Sequence, residues 1–243
     1  MTNPMLSLAR SELVQIFRNR AVLFTNLLMP VAASAFFISS RDTFAGVGGL
    51  GYVAAVLVFT VAAFTLYATM VTTLAARRQT LFLKRLRSTA ASDPAILVGL
   101  VLTVAGISVL QVVVLLGVFA AVSGGPADVL LLVPAIAAAF LMLLALGLAT
   151  AGVTRSPEQA QVTTLPITLG TVAVASWIGI SGTESLTWLK RLLPGGSATE
   201  LMIAAWNGGQ PLGQSLLLLV PTLGWVVVAA ALAARMFRWE PRR

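Results

Sequence analysis

The chain has 243 residues, 58% of them hydrophobic and 10% charged, with a mean hydropathy of +0.95. A soluble domain carries about 25% charged residues, so this chain lacks the polar surface to cover a globule, and its length allows about six helical spans of about 20 residues each. The formal charge of +8 gathers at the ends of apolar runs, which argues for headgroup anchoring and topology rather than a nucleic-acid face.

Asn3 and Pro4 form a helix start, a capping residue followed by a proline that fits the first helical position. Leu6, Ala9, Leu13, Ile16 and Phe17 then fall on one stripe, with Arg10, Glu12, Gln15 and Arg18 mostly off it, so residues 4–19 are predicted to form an interfacial amphipathic helix. Span one is predicted over 21–40, with Pro30 near its middle. Ala33-Ser34-Ala35 looks like a signal-peptide cleavage site, but the apolar run continues through Phe36, Phe37 and Ile38, which favours a retained span. A short glycine-bearing loop is expected from Arg41 to Leu50, followed by span two over 51–76.

The stretch Arg77 to Pro94, RRQTLFLKRLRSTAASDP, carries five of the sixteen Lys and Arg residues between two apolar runs. Asp93-Pro94 caps and starts span three, predicted over 94–122, with Gln111 as its one strongly polar residue. Gly124-Gly125-Pro126 makes a tight turn into span four, 129–153. A polar connection, Thr154 to Gln161, leads to span five, 162–180. Residues 181–214 are too apolar for a loop in water, and two short, partly inserted helices joined at Pro194-Gly195-Gly196 are expected there before span six, 216–234. The fold class is therefore an all-α integral membrane protein forming a single six-span domain.

Thirteen Lys and Arg residues fall on the side of the two termini and the Arg77–Pro94 stretch, and three on the other side. The positive-inside rule puts both termini and that stretch in the cytoplasm and the 181–214 hairpin outside. Arginine outnumbers lysine fourteen to two, a bias associated with GC-rich bacterial genomes, so the expected location is a bacterial plasma membrane.

The chemistry absent from the chain narrows the function. There is no Gly-x4-Gly-Lys-Ser/Thr phosphate loop and no Gly-x-Ser-x-Gly elbow, and the lack of histidine and cysteine removes the commonest general base and the thiolate metal sites. The chain is expected not to be an enzyme and to hold no cofactor or metal of its own. All eight carboxylates fall at predicted span ends or in connections, whereas ion-coupled carriers keep ionisable groups inside the membrane. Asn26, Thr60, Tyr67, Gln111, Thr168, Thr171 and Ser176 are the polar residues left within the spans, and are candidates for lining a mostly apolar path. The plainer alternative is that each bonds a neighbouring helix or its own backbone.

Six spans, an amphipathic N-terminal helix, a basic segment after span two and an outer hairpin before span six together resemble the ABC-2 type permease family. The run Arg77-Arg78-Gln79-Thr80-Leu81 through Leu83-Lys84-Arg85-Leu86-Arg87-Ser88-Thr89 is similar to that family's segment after span two, with Ala90 where the family has proline. Ser156-Pro157-Glu158-Gln159-Ala160-Gln161 resembles the start of the family's span five, and Ile180-Ser181-Gly182, Trp188-Leu189 and Leu193-Pro194 resemble its outer hairpin. The resemblance implies a dimer of such permeases served by two separate ATP-binding subunits, which bind ATP and magnesium. It makes the segment after span two a coupling helix, in which Arg78, Leu81, Leu83, Lys84, Arg85, Leu86 and Arg87 would dock on the ATPase. Leucines there offer apolar anchors and cations face an acidic rim. The expected activity is ATP-driven export of a hydrophobic or amphipathic compound, such as a drug, antibiotic or lipid. A carrier driven by an ion gradient, or a membrane partner of an ATPase that moves no cargo, are the alternatives.

Overall fold

The computed structural model describes residues 28–82, 93–208 and 211–236. The predicted amphipathic helix 4–19 lies outside the described residues, as does the first part of span one. Every described element is helical. In chain order they are α1 (Met29–Ser39), α2 (Arg41–Val61), a π segment (Ala62–Ala68), α3 (Thr69–Gln79), α4 (Asp93–Ser123), α5 (Val129–Val153), α6 (Pro157–Thr163), α7 (Leu165–Ser181), α8 (Thr187–Leu192), α9 (Gly196–Asn207), α10 (Leu212–Leu217) and α11 (Leu219–Met236).

Five described stretches are long and apolar enough to cross a membrane: Arg41–Gln79, Leu97–Ser123, Val129–Val153, Pro157–Ser181 and Ser215–Met236. They run alternately between two ends of the bundle, here called the hairpin end and the basic end. Caps fix several turns. Asp128 accepts a hydrogen bond from the Leu131 N–H at the start of α5, and Ser156 accepts one from the Gln159 N–H ahead of Pro157 in α6. Each cap satisfies a backbone donor that the first helical turn leaves free.

Arg41–Gln79 is the axis of the fold. From Gly51 to Ala63 every residue is buried, as expected of a helix apolar on all sides. α4, α5, α7 and α9 pack around this axis, and α1 lies against its first half. By contrast, α4 turns Leu102, Leu110, Val113, Val114 and Val118 outward. Apolar side chains on that scale cost little against lipid and much against water.

The expected loop from Arg41 to Leu50 is instead helix, broken at a single residue. Gly49 takes φ 79° and ψ 171°, a conformation open to glycine at no steric cost. The Gly51 N–H finds the Asn207 Oδ1 at 2.9 Å, which replaces a bond lost at the kink. One of the glycines that read as loop-forming, Gly48, serves close packing. A Cβ on Gly48 would overlap the Gly179 carbonyl oxygen, and one on Gly179 would overlap the Tyr52 ring. α2 and α7 therefore cross at backbone distance near the hairpin end. The polar connection after span four is also shorter than expected, because the chain is helical again from Pro157.

Between α7 and α10 the chain folds into two short helices, α8 and α9, turned at Leu193–Gly195. Gly195 is in the left-handed region at φ 87°, and a Cβ there would meet the Phe59 ring. Phe59 lies ten residues along the axis from Gly49, about 15 Å at the helical rise. The turn thus packs against the axis helix at Phe59. α9 returns to the hairpin end, where the Ala127 and Asp128 N–H groups donate to the Trp206 and Ala205 carbonyls.

Candidate functional site

The basic end is built around Arg78. Its side chain is buried at 1% exposure, and its Nη2 donates to the carbonyls of Ala151, at 2.6 Å, and Thr154. These carbonyls belong to the last turn of α5 and its cap, where four carbonyls have no partner within the helix and the dipole is negative. Arg78 fits that position as a buried cation with carbonyl partners. It is therefore not part of an exposed docking face, as the sequence reading placed it. Its role is that of an internal clamp between span two and span four.

The chain turns sharply after the clamp. The Thr80 and Leu81 N–H groups bond back to the Ala76 and Arg78 carbonyls. Leu81 sits at φ 56°, a left-handed conformation that costs a non-glycine residue roughly 1 to 2 kcal/mol. Its side chain is nearly half exposed, and Arg77 stacks over the Phe82 ring at 4.6 Å. Leu83, Lys84, Arg85, Leu86 and Arg87 lie outside the described residues. α6 packs against α3 beside this turn, which sets the connection between spans four and five next to the start of the basic segment.

Midway along the bundle, the π segment gathers the polar side chains. The widened turn leaves the Phe64 carbonyl to be met by the Thr69 hydroxyl, five residues on, at 3.4 Å. The Tyr67 hydroxyl and the Thr150 hydroxyl of α5 are 3.0 Å apart. Thr65 donates to the Gln111 Oε1 of α4 at 3.0 Å. Thr60 is buried, and Thr171 bonds back to the Ile167 carbonyl at 2.8 Å. Ser176 is half-buried on α7, away from this level, and Asn26 lies outside the described residues. The structure thus brings Tyr67 and Gln111 to one segment through Thr65 and Thr150, which sequence reasoning did not single out. A threonine among many in an apolar span carries no signal of its own. Its pairing partner does, since a glutamine there needs a neighbour.

The hairpin end holds a second buried cation. Lys190 is fully buried, and its Nζ donates to the Ser181 hydroxyl at 2.9 Å and the Gly182 carbonyl at 2.6 Å. It lies 5.0 Å from the Trp177 ring centroid. It meets the carboxyl end of α7 as Arg78 meets that of α5, a cation set against the negative pole of a span. Arg191 forms a bidentate pair with Glu200, both bonds 2.7 Å, and Thr183 adds a third bond to that carboxylate at 3.1 Å. The carboxylate bond raises the Arg191 pKa above its ordinary value. The Trp225 indole N–H donates to the Leu192 carbonyl at 2.7 Å, and Ser197 and Thr222 hydroxyls meet at 2.8 Å, tying both short helices to α11.

These elements define a multi-pass helical membrane protein with polar clamps at both ends of its spans and no cluster of three or more metal-ligating residues among the described residues. The chain belongs to the ABC-2 family: the profile for ABC-2 family transporter protein matches residues 12–235. That family generally works with an ATP-binding subunit. A comparison with curated proteins finds no match.

Proposed function

We propose that the chain is the permease subunit of an ATP-binding cassette exporter of a bacterial plasma membrane. Both termini and the Arg77–Pro94 segment face the cytoplasm, and the α8–α9 hairpin dips into the bilayer from outside. Two such permeases, alike or different, form the path, and two separate ATPase subunits bind ATP and magnesium. The cargo is a hydrophobic or amphipathic compound.

The observation that carries this reading is the Arg78 clamp. The basic segment begins at a residue bonded into the end of span four, and span five starts beside it. A force applied to the segment by a moving ATPase therefore reaches spans two, four and five together. Leu81 is already exposed at the start of this segment, and Leu83, Lys84, Arg85, Leu86 and Arg87 supply the remaining anchors and charge.

Arg85 and Leu86 changed together to Asp test the docking. Recovery of the ATPase with the affinity-tagged chain is expected to fall at least tenfold, while the amount of chain in the membrane stays unchanged. An undiminished yield of complex places the contact elsewhere.

A further inference from the structure

α8 is amphipathic the wrong way round for a helix in water. Trp188 is exposed at 78%, Leu192 at 60% and Leu189 at 50%. At the helical repeat these three fall within about 100° of arc. Thr187, Lys190 and Arg191 occupy the opposite side, which faces the protein. Lys190 is held there by the Ser181 hydroxyl and the Gly182 carbonyl, and Arg191 is spent on Glu200. Leu186, just ahead of the helix and exposed at 61%, accepts the Lys190 N–H at 2.9 Å.

This helix stands between two spans whose outward side chains are apolar. It is bonded through Lys190 to the end of α7, where Ile180 is exposed. On its other side it packs on α11, and the Leu192 carbonyl takes the Trp225 indole N–H. Trp225 lies six residues, about 9 Å, inside α11, which turns Val220, Leu223 and Val227 outward. An apolar patch of this kind is costly in water and costs little against lipid. Interfacial helices ordinarily hold lysine and arginine toward headgroup phosphates. Here both cations of α8 are turned inward and already bonded within the protein.

We infer that the outer face of α8, formed by Leu186, Trp188, Leu189 and Leu192, is a lipid-contact surface at the boundary of headgroups and acyl chains, and that it binds by apolar burial without selecting lipid by charge. Trp188 is its anchor, since an indole ring settles at that level of a bilayer. The inference rests on the reading that the hairpin enters the bilayer, and names the side chains that do so and the part of the lipid they meet.

The chain has no cysteine, so single cysteines can carry a spin label. Trp188→Cys, Leu192→Cys, Glu184→Cys and Val227→Cys are each labelled in the full chain in phosphatidylcholine nanodiscs. Collision with oxygen, which gathers in lipid, is compared with collision with a neutral nickel chelate, which stays in water. The expected result is an oxygen excess at Trp188 and Leu192, within about 5 to 10 Å of the boundary, and a nickel excess at Glu184. Both should be unchanged when phosphatidylglycerol is mixed in or salt is raised. A nickel excess at Trp188 and Leu192 with an oxygen excess at Val227 puts the face in water and overturns the inference while the membrane-spanning reading stands. A nickel excess at all four overturns both. Low collision with either reagent at Trp188 and Leu192 means that a second copy of the chain covers the face, and a strong dependence on phosphatidylglycerol means selection by charge; each overturns the inference. Should a cysteine variant fail to assemble, quenching of the unmodified chain by brominated lipid is read instead, and should weaken in Trp188→Phe; equal quenching of the two overturns the anchor. Neither measurement needs an ATPase, so failure here is separate from failure of the ATP-driven reading.

Discussion

Replacing Arg78 by Ala is expected to destabilise the chain more than any other single change at the basic end. The substitution removes the hydrogen bonds that a charged donor makes to the Ala151 and Thr154 carbonyls and leaves those carbonyls facing a void. Bonds of this type contribute about 1.5 to 3 kcal/mol each, and the lost packing of the arginine stem adds to that. The Coulomb part is offset by the cost of keeping the guanidinium dry, so about 3 kcal/mol is the expected total. For a chain of this length that lowers the unfolding midpoint by roughly 6 to 12 °C. Arg78→Lys keeps the charge but loses the planar fork, and should fall about halfway. Thermal unfolding of the purified chain in detergent reads all three proteins. A midpoint for Arg78→Ala within a degree of the parent would remove the clamp from the account. The same variants, assembled with the ATPase, should uncouple hydrolysis from flux, because the segment would no longer pull on span four.

The second large effect belongs to the crossing of α2 and α7. Gly48→Ala sets a methyl group inside the Gly179 carbonyl oxygen, a clash with backbone that no rotamer relieves. Separating the helices costs about 3 kcal/mol by the usual penalty of overpacking. Gly46 supplies the control. It lies on the same short helix with nothing within 4 Å of the position of its Cβ, so Gly46→Ala should be neutral or slightly stabilising. Gly179→Ala meets the Tyr52 ring instead of backbone, and Tyr52→Leu should recover part of its cost in a double-mutant cycle. Equal effects of Gly46→Ala and Gly48→Ala on unfolding would show that the crossing is looser than described.

Much of the fold is legible in the sequence for one physical reason. Lipid requires long apolar runs, and loops need the residues that break them. Asp128, Ser156-Pro157 and Pro194-Gly195 announce their caps and turns by residue type alone. The errors arise where one residue type serves two ends. Gly46, Gly48 and Gly49 spell a loop by composition, yet only Gly49 departs from helix, while Gly48 allows a neighbour to approach. Arg78 was grouped with the surface cations because it adjoins Arg77 in a basic run. Its burial depends on two carbonyls more than seventy residues away, a contact that no local pattern carries. Lys190 and Arg191 illustrate the same limit: adjacent cations, one fully buried against a helix end, the other paired with Glu200. Among the intramembrane polar residues, Gln111 was conspicuous as the only glutamine in its span. The π segment that gives it a setting has no sequence signature, and Thr65 and Thr150 were hidden among ordinary threonines.

The central claim is that movement through this chain is driven by ATP hydrolysed on another subunit. The direct measurement is flux of a neutral dansyl-labelled alkyl amide across vesicles holding the chain and the ATPase that purifies with it. The account predicts flux that requires hydrolysable ATP, persists when proton and sodium gradients are collapsed, and is lost when the ATPase is omitted. Flux by the chain alone that ignores ATP and disappears with an ion gradient would contradict it.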